Sequence, residues 1–118
     1  MRILIVDDEK EIADLVRHCL EREGLEATVC TDGNEALGKI QSEEFDLAIL
    51  DIMLPDSYDL KPLYELLTIN KDARIVVNSA INKPEITREA LLAGARGFIT
   101  KPFNETDFLC KIKMALED

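Results

Sequence analysis

Five short apolar runs punctuate the chain, at residues 3–6, 27–30, 47–50, 74–77 and 97–100. None alternates cleanly between apolar and polar residues. Unbroken Ile, Val and Leu runs of this length fit strands buried on both faces, the pattern of a parallel sheet. The runs recur about every 20 to 27 residues, which leaves room for one crossover helix in each gap.

Helical spacing fills those gaps. Ile12, Leu15, Val16, Cys19 and Leu20 fall on one face of a first helix, and Gly24 stands where it would end. Ala36, Leu37 and Ile40 mark a second helix. A third, over residues 61–68, carries Leu63, Leu66 and Leu67. A fourth, over residues 85–93, carries Ile86, Ala90, Leu91 and Leu92 before Gly94. The fifth opens on the cap-like Asn104-Glu105-Thr106-Asp107 and turns Phe108, Leu109, Ile112 and Leu116 inward.

Strands alternating with helices predict an α/β fold: a three-layer sandwich with a five-stranded parallel sheet, five helices and right-handed crossovers. Such a sheet binds ligands beyond the carboxyl ends of its strands. Asp7, Asp8 and Glu9 follow the first strand and Asp51 follows the third. Asn78, Ser79 and Ala80 follow the fourth, and Lys101 and Pro102 follow the fifth.

The length, 118 residues, suits one domain over 1–118 with a core that needs no staples. Fourteen Lys and Arg against 24 Asp and Glu give a net charge of −10, a poor endowment for binding nucleic acid or an anionic membrane. No apolar run approaches the roughly 20 residues of a membrane span. The opening Met1-Arg2-Ile3-Leu4-Ile5-Val6 is too short and too soon acidic for a signal peptide. Cys19, Cys30 and Cys110 are odd in number and lack metal-ligand spacing, so they read as reduced thiols of a cytoplasmic protein.

Each strand-end residue has an ordinary explanation taken singly. Asp7 or Asp8 would cap the first helix. Asp51 would belong to the turn signalled by Leu54-Pro55-Asp56. Ser79 would be a cap, and Lys101 an exposed lysine. Together they mean more. Three carboxylates without a counter-charge repel and raise one another's pKa. A hard divalent cation relieves this, and Mg²⁺ takes oxygen ligands while keeping waters for phosphate oxygens. A lysine adds a point charge suited to a phosphate. A carboxylate, a magnesium ion, a hydroxyl and a lysine make a phosphoryl-transfer set, with the carboxylate able to act as nucleophile.

The chain resembles a response-regulator receiver domain, the phospho-acceptor module of two-component signalling. The matching stretches are Ile3-Leu4-Ile5-Val6-Asp7-Asp8-Glu9, Leu50-Asp51-Ile52-Met53-Leu54-Pro55, Ser79-Ala80, Ala93-Gly94-Ala95 and Lys101-Pro102-Phe103, and they run nearly the whole length. The resemblance implies a flavodoxin-like sheet in the order 2-1-3-4-5. It implies that Asp51 accepts the phosphoryl group, that Asp8 is the direct magnesium ligand of the acidic pair, and that Asp7 acts through water. The main-chain carbonyl of Met53 becomes the third protein ligand. Ser79 is the hydroxyl that moves onto the phosphate, Lys101 the lysine that pairs with it, and Ala80 the small residue admitting a phosphohistidine. Phe98 takes the place of the switch aromatic. A cis Lys101–Pro102 bond is expected on the same ground.

The implied partners are a sensor histidine kinase or phosphotransfer protein and a downstream output domain or protein, with no nucleic acid or membrane bound by this domain. The implied activity is self-phosphorylation and self-dephosphorylation, not turnover of a substrate. Two departures stand out. Asp56-Ser57-Tyr58-Asp59-Leu60 lacks the family's usual loop glycine, and Ala95-Arg96-Gly97-Phe98 lacks the acids and tyrosine of receivers that dimerise through their fourth and fifth helices. His18, between Arg17 and Cys19 in the first helix, reads as a partly exposed structural residue. One alternative is a haloacid-dehalogenase-like phosphatase. That family needs a second Asp two residues after its nucleophile, where Glu9 follows Asp7 and Met53 follows Asp51. The other is a degenerate receiver acting only by protein contacts.

Overall fold

The computed structural model describes residues 1–54, 57–58 and 60–117, the backbone alone at 57 and 58. The elements run β1 (Arg2–Val6), α1 (Lys10–Arg22), β2 (Glu26–Cys30), α2 (Gly33–Ser42), β3 (Leu47–Leu50), β4 (Met53–Leu54), β5 (Ser57–Tyr58), α3 (Lys61–Ile69), β6 (Ile75–Ser79), α4 (Pro84–Ala93), β7 (Gly97–Thr100) and α5 (Glu105–Leu116). The main sheet is parallel throughout, in the order β2-β1-β3-β6-β7. Once the small hairpin β4-β5 is set aside, this is the expected 2-1-3-4-5 order.

The apolar runs form strands because both faces of the sheet are covered. Leu4, Val6, Leu50 and Val77 pack on one side with Leu63 and Leu66 of α3 and Ala36 and Ala90 of α2 and α4. Ile3, Ile5, Ile49, Val76 and Ile99 pack on the other with Val16 and Leu20 of α1 and Phe108 and Ile112 of α5. A residue in such a strand meets hydrocarbon whichever way it points, so alternation has no reason to exist.

Three features differ from what the sequence suggests or add to it. The fourth strand of the sheet starts at Ile75, not Arg74, and runs through Asn78 and Ser79. Ser79 pairs with Thr100 on β7, and its carbonyl accepts the Lys101 N–H at 2.8 Å, so the ladder continues to the mouth of the site. Leu15, counted on the inner face of α1, is 52% exposed, and Leu91 and Leu92 of α4 are exposed as well. In each helix the apolar stripe is wider than the contact surface that the sheet provides. The antiparallel pair Met53–Leu54 with Ser57–Tyr58 was not foreseen. The turn read at Leu54-Pro55-Asp56 and the loop at Asp56–Asp59 lie partly outside the described residues.

Capping residues close one end each of α2, α4 and α5. Asn104 caps α5 by accepting the Asp107 N–H, and Asp32 caps α2 by accepting the Glu35 N–H. Gly94 ends α4 at φ 124°, a conformation that L side chains rarely adopt. Arg96 donates to the carbonyl of Glu117 at 2.8 Å, satisfying an acceptor at the end of α5. His18 is exposed on α1.

Candidate functional site

The strand order dictates where the site lies. From β1 the chain crosses to β2 on one side, and β3 then pairs on the other, so the crevice at the carboxyl ends opens between β1 and β3. Asp7 and Asp51 stand at those two ends. Asp7 continues the alternation of Ile3 and Ile5, and Asp51 that of Leu47 and Ile49, so both turn toward α1 and α5. Neither Asp7 nor Asp8 caps α1. The N-cap is Glu9, without a side-chain bond, and Asp7 Oδ1 instead accepts the Glu9 N–H at 2.9 Å. Asp51 Oδ1 accepts the Met53 N–H at 2.9 Å in the same way. Each carboxylate is thus fixed by the backbone two residues on.

Lys101 closes the site from the far edge of the sheet. Its ammonium donates to Asp7 Oδ2 at 2.7 Å and Asp51 Oδ2 at 3.1 Å, with Glu9 Oε1 at 3.5 Å. Its side chain is 9% exposed, so it is not an ordinary surface lysine. The Lys101–Pro102 bond is cis. Carboxylate oxygens of Asp7, Asp8 and Asp51 lie within 4.8 Å of one another, with Asp8 exposed and the other two buried. Three hard oxygens so close, with one open to solvent, fit a divalent cation of the magnesium kind.

Electrostatics set the protonation states. Burial pushes the Asp51 carboxyl up, against the opposing pull of the Met53 N–H and Lys101. Burial also works against the Lys101 charge. The hydrogen bond it donates to Asp7 and the nearby Asp51 charge outweigh burial, so the lysine is held above its ordinary value and stays cationic. Cys30, at the end of β2, is pushed up to about 12 by burial and remains a neutral thiol.

The other expected residues surround this core. Ser79 is fully buried, and its Oγ accepts the Ile81 N–H at 3.3 Å. It lies on the opposite sheet face from Asn78, the face that Val77 and the half-buried Phe98 share. Met53 is 51% exposed and Ile81 half-buried, at the rim, and Ala80 is exposed. One strand-end residue has no duty among those expected. Asn78 is 2% exposed, and its Oδ1 has no hydrogen-bond partner among the described residues. Leaving such an atom unpaired costs roughly 1–3 kcal/mol. The available signal was a polar residue closing the aliphatic run Ile75-Val76-Val77.

Residues 3–113 match the response regulator receiver domain family. The chain belongs to that family. This receiver is 33% identical to the chemotaxis protein CheY of Treponema pallidum, over 98% of this chain and 83% of that protein. It is 36% identical to the regulatory protein VanRc of Enterococcus gallinarum, over 98% of this chain and 49% of that one. A CheY-like receiver domain protein from Methanospirillum hungatei superposes with a TM-score of 0.91 at 37% identity, over 98% of this chain and 92% of the other. The chain spans about half the length of VanRc and of the probable transcriptional regulator TcrX of Mycobacterium tuberculosis. Receivers are in general phospho-acceptors that work with histidine kinases and output domains, so the match does not favour the phosphatase or degenerate-receiver alternatives. Among the described residues no helix is long and apolar enough to cross a membrane.

The raised Asp51 pKa has a consequence for stability. The folded chain holds this proton more readily than the unfolded chain, so without divalent cation the ionisation of Asp51 costs stability. That cost is absent below the ordinary value of 3.8, grows as pH rises to the folded-state value, and is constant beyond. Asp51→Asn removes the cost. Its stability relative to wild type should therefore rise with pH above about 4 and then level, in urea titrations with chelator present. Saturating Mg²⁺ should shift the comparison back toward wild type, whose carboxylate the cation binds. A pH-independent difference would contradict the assignment.

Proposed function

We propose that residues 1–118 act as one phosphorylation-activated switch of a two-component system, in which Asp51 takes a phosphoryl group from a sensor histidine kinase or phosphotransfer protein in the cytoplasm. The observation that carries this reading is the convergence of the Asp7, Asp8 and Asp51 oxygens within 4.8 Å, with Lys101 on Asp51 at 3.1 Å. Mg²⁺ fits the same oxygens. Asp8, Asp51 and the Met53 carbonyl would hold it, with Asp7 through water. When bound, it neutralises charge on the phosphoryl oxygens.

The chain's own groups do the rest. The Met53 N–H fixes the rotation of the Asp51 carboxylate, so one oxygen is aimed before the phosphodonor arrives. A carboxylate needs no general base to attack phosphorus. Lys101, kept protonated by Asp7, serves as charge stabiliser and not as base. The Asp51–phosphorus bond forms as the bond to the donor nitrogen breaks, leaving an acyl phosphate. Ala80, small and exposed, leaves the approach open.

The output is a population shift. The phosphoryl group adds about −1.5 to −2 charges at one strand end. Ser79 moves its hydroxyl from the Ile81 N–H to a phosphate oxygen, and Phe98, on the same sheet face, fills the space released. The surface of α4, β7 and α5 then changes its affinity for an output domain or protein. Exposed Leu91 and Leu92 on α4 supply apolar area for such a contact.

The direct test uses a small phosphodonor such as acetyl phosphate with Mg²⁺. Wild type should take up one phosphoryl group per chain. Asp8→Ala should lose labelling by at least about a hundredfold, because the acceptor is left without its cation. Labelling of this variant at the wild-type rate would remove Asp8 from the site.

The phosphorylated form should be long-lived. Hydrolysis needs a water in line behind the phosphorus, and Met53 and Ile81 at the rim offer no strong hydrogen bond to orient one. Met53→Asn with Ile81→Glu should hasten decay of the phosphorylated protein by roughly tenfold. Decay that is equal or slower in the double variant would show that these positions do not govern water access.

A further inference from the structure

The strand that carries Ser79 also buries a group that neither packing nor pairing accounts for. β6 runs Ile75, Val76, Val77 and then Asn78, every one buried. The Asn78 carboxamide oxygen has no hydrogen-bond partner among the described residues. Native interiors seldom leave such an atom unpaired.

Sheet register identifies what Asn78 faces. Val76 packs under α1 and α5 and Val77 on the opposite side, so Asn78 turns toward α1 and α5. Leu50 is paired with Val77, and Val6 with Leu50. One step further along, the row across the sheet reads Asp7, Asp51, Asn78, Ile99, the last pair being in register. Lys101 begins on β7's side, with its N–H on the Ser79 carbonyl, and ends with its ammonium on Asp51 and Asp7 beyond β6. Its stem therefore passes the end of β6 on the face to which Asn78 points.

We propose that Asn78 is a positioning residue for Lys101, its carboxamide oxygen accepting from the ammonium while the phosphoryl group is transferred to Asp51. In the resting state the ammonium has Asp7 and Asp51 as close acceptors and Glu9 at 3.5 Å. A bound cation would compete for the Asp7 and Asp51 oxygens and loosen their hold on the ammonium. A side chain only 9% exposed has little access to water for replacement. A neutral acceptor on the adjacent strand holds the ammonium over the phosphoryl oxygens without competing as a further anion would. An amide supplies that lone pair with no charge.

This inference rests on Asp51 being the phospho-acceptor, and its test separates the two. Asn78→Val and Asn78→Thr have nearly the same shape and differ by one hydroxyl. Both suit a strand. Three readouts are compared with wild type: melting temperature without divalent cation, half-saturating Mg²⁺ by calorimetry, and phosphorylation rate from acetyl phosphate at saturating Mg²⁺. Asn78→Val should melt higher, bind Mg²⁺ within about twofold of wild type, and be phosphorylated about tenfold more slowly. Asn78→Thr should recover to within about threefold of the wild-type rate. A Val variant phosphorylated at the wild-type rate overturns the role. So does a pair of variants equally slow and equally reduced in melting temperature, since that outcome is merely structural. If Asn78→Val does not fold, Asn78→Ala against Asn78→Ser makes the same comparison. Failure of wild type to label at Asp51 would overturn the acceptor reading instead.

Discussion

Lys101 holds Asp7 at 2.7 Å and Asp51 at 3.1 Å, and this shared ammonium is what allows two carboxylates to lie buried side by side. Without it each would meet a like charge in a medium that screens poorly. Stripping the partner from a buried charge costs roughly 3–5 kcal/mol. The arrangement is poised because it is not complete. Asp51 still has its carboxyl pushed up by burial, and Asp8 still points to solvent beside the pair. A divalent cation would bring the positive charge that this cluster lacks and so let it accept a further anion, which is how the same contacts serve both the fold and the proposed chemistry.

The sheet delivers that cluster over long distances in sequence. Lys101 is 94 residues from Asp7 and 50 from Asp51. They meet because all five core strands run parallel and bring their carboxyl ends to one edge. Burial on both faces makes the strands rigid, and the backbone N–H groups of Glu9 and Met53 lock the two acids in place. Other groups are held less tightly: among the described residues the Ser79 hydroxyl accepts one 3.3 Å bond, from a loop N–H, and Phe98 is only half buried. Phosphorylation is proposed to act on these two residues while the sheet stays as it is.

Much of this was readable from the residues because buried parallel strands leave an unambiguous trace. Ile3 to Val6 and Leu47 to Leu50 contain no polar residue, and an aspartate stands directly after each. The apolar run of the fourth strand ends at Val77, and Asn78 and Ser79 look like loop residues. They complete the ladder because the strand end is itself the site. Lys101 looked ordinary alone, since only tertiary structure brings two carboxylates to it. Leu15 and Leu92 belong to apolar helical stripes yet are exposed, because periodicity reports a helical face but not how much of it the sheet covers. The pairing of Met53–Leu54 with Ser57–Tyr58 is too short for any periodic signal. The duties of Asp7, Asp8, Ser79 and Phe98 came from likeness to receivers; spacing alone left helix caps and turns as adequate explanations.

The central claim is that the carboxylate gripped by Met53 and Lys101 is the one that carries phosphate. It is tested most directly by treating the wild-type protein with acetyl phosphate and Mg²⁺, reducing the acyl phosphate with borohydride, and mapping the product by peptide mass spectrometry. Reduction converts a phosphorylated aspartate to homoserine and leaves other carboxylates unchanged. The account predicts homoserine at position 51 alone, dependent on Mg²⁺. Homoserine at Asp7 or Asp8, or an unmodified Asp51 in a protein that has incorporated phosphate elsewhere, would contradict it.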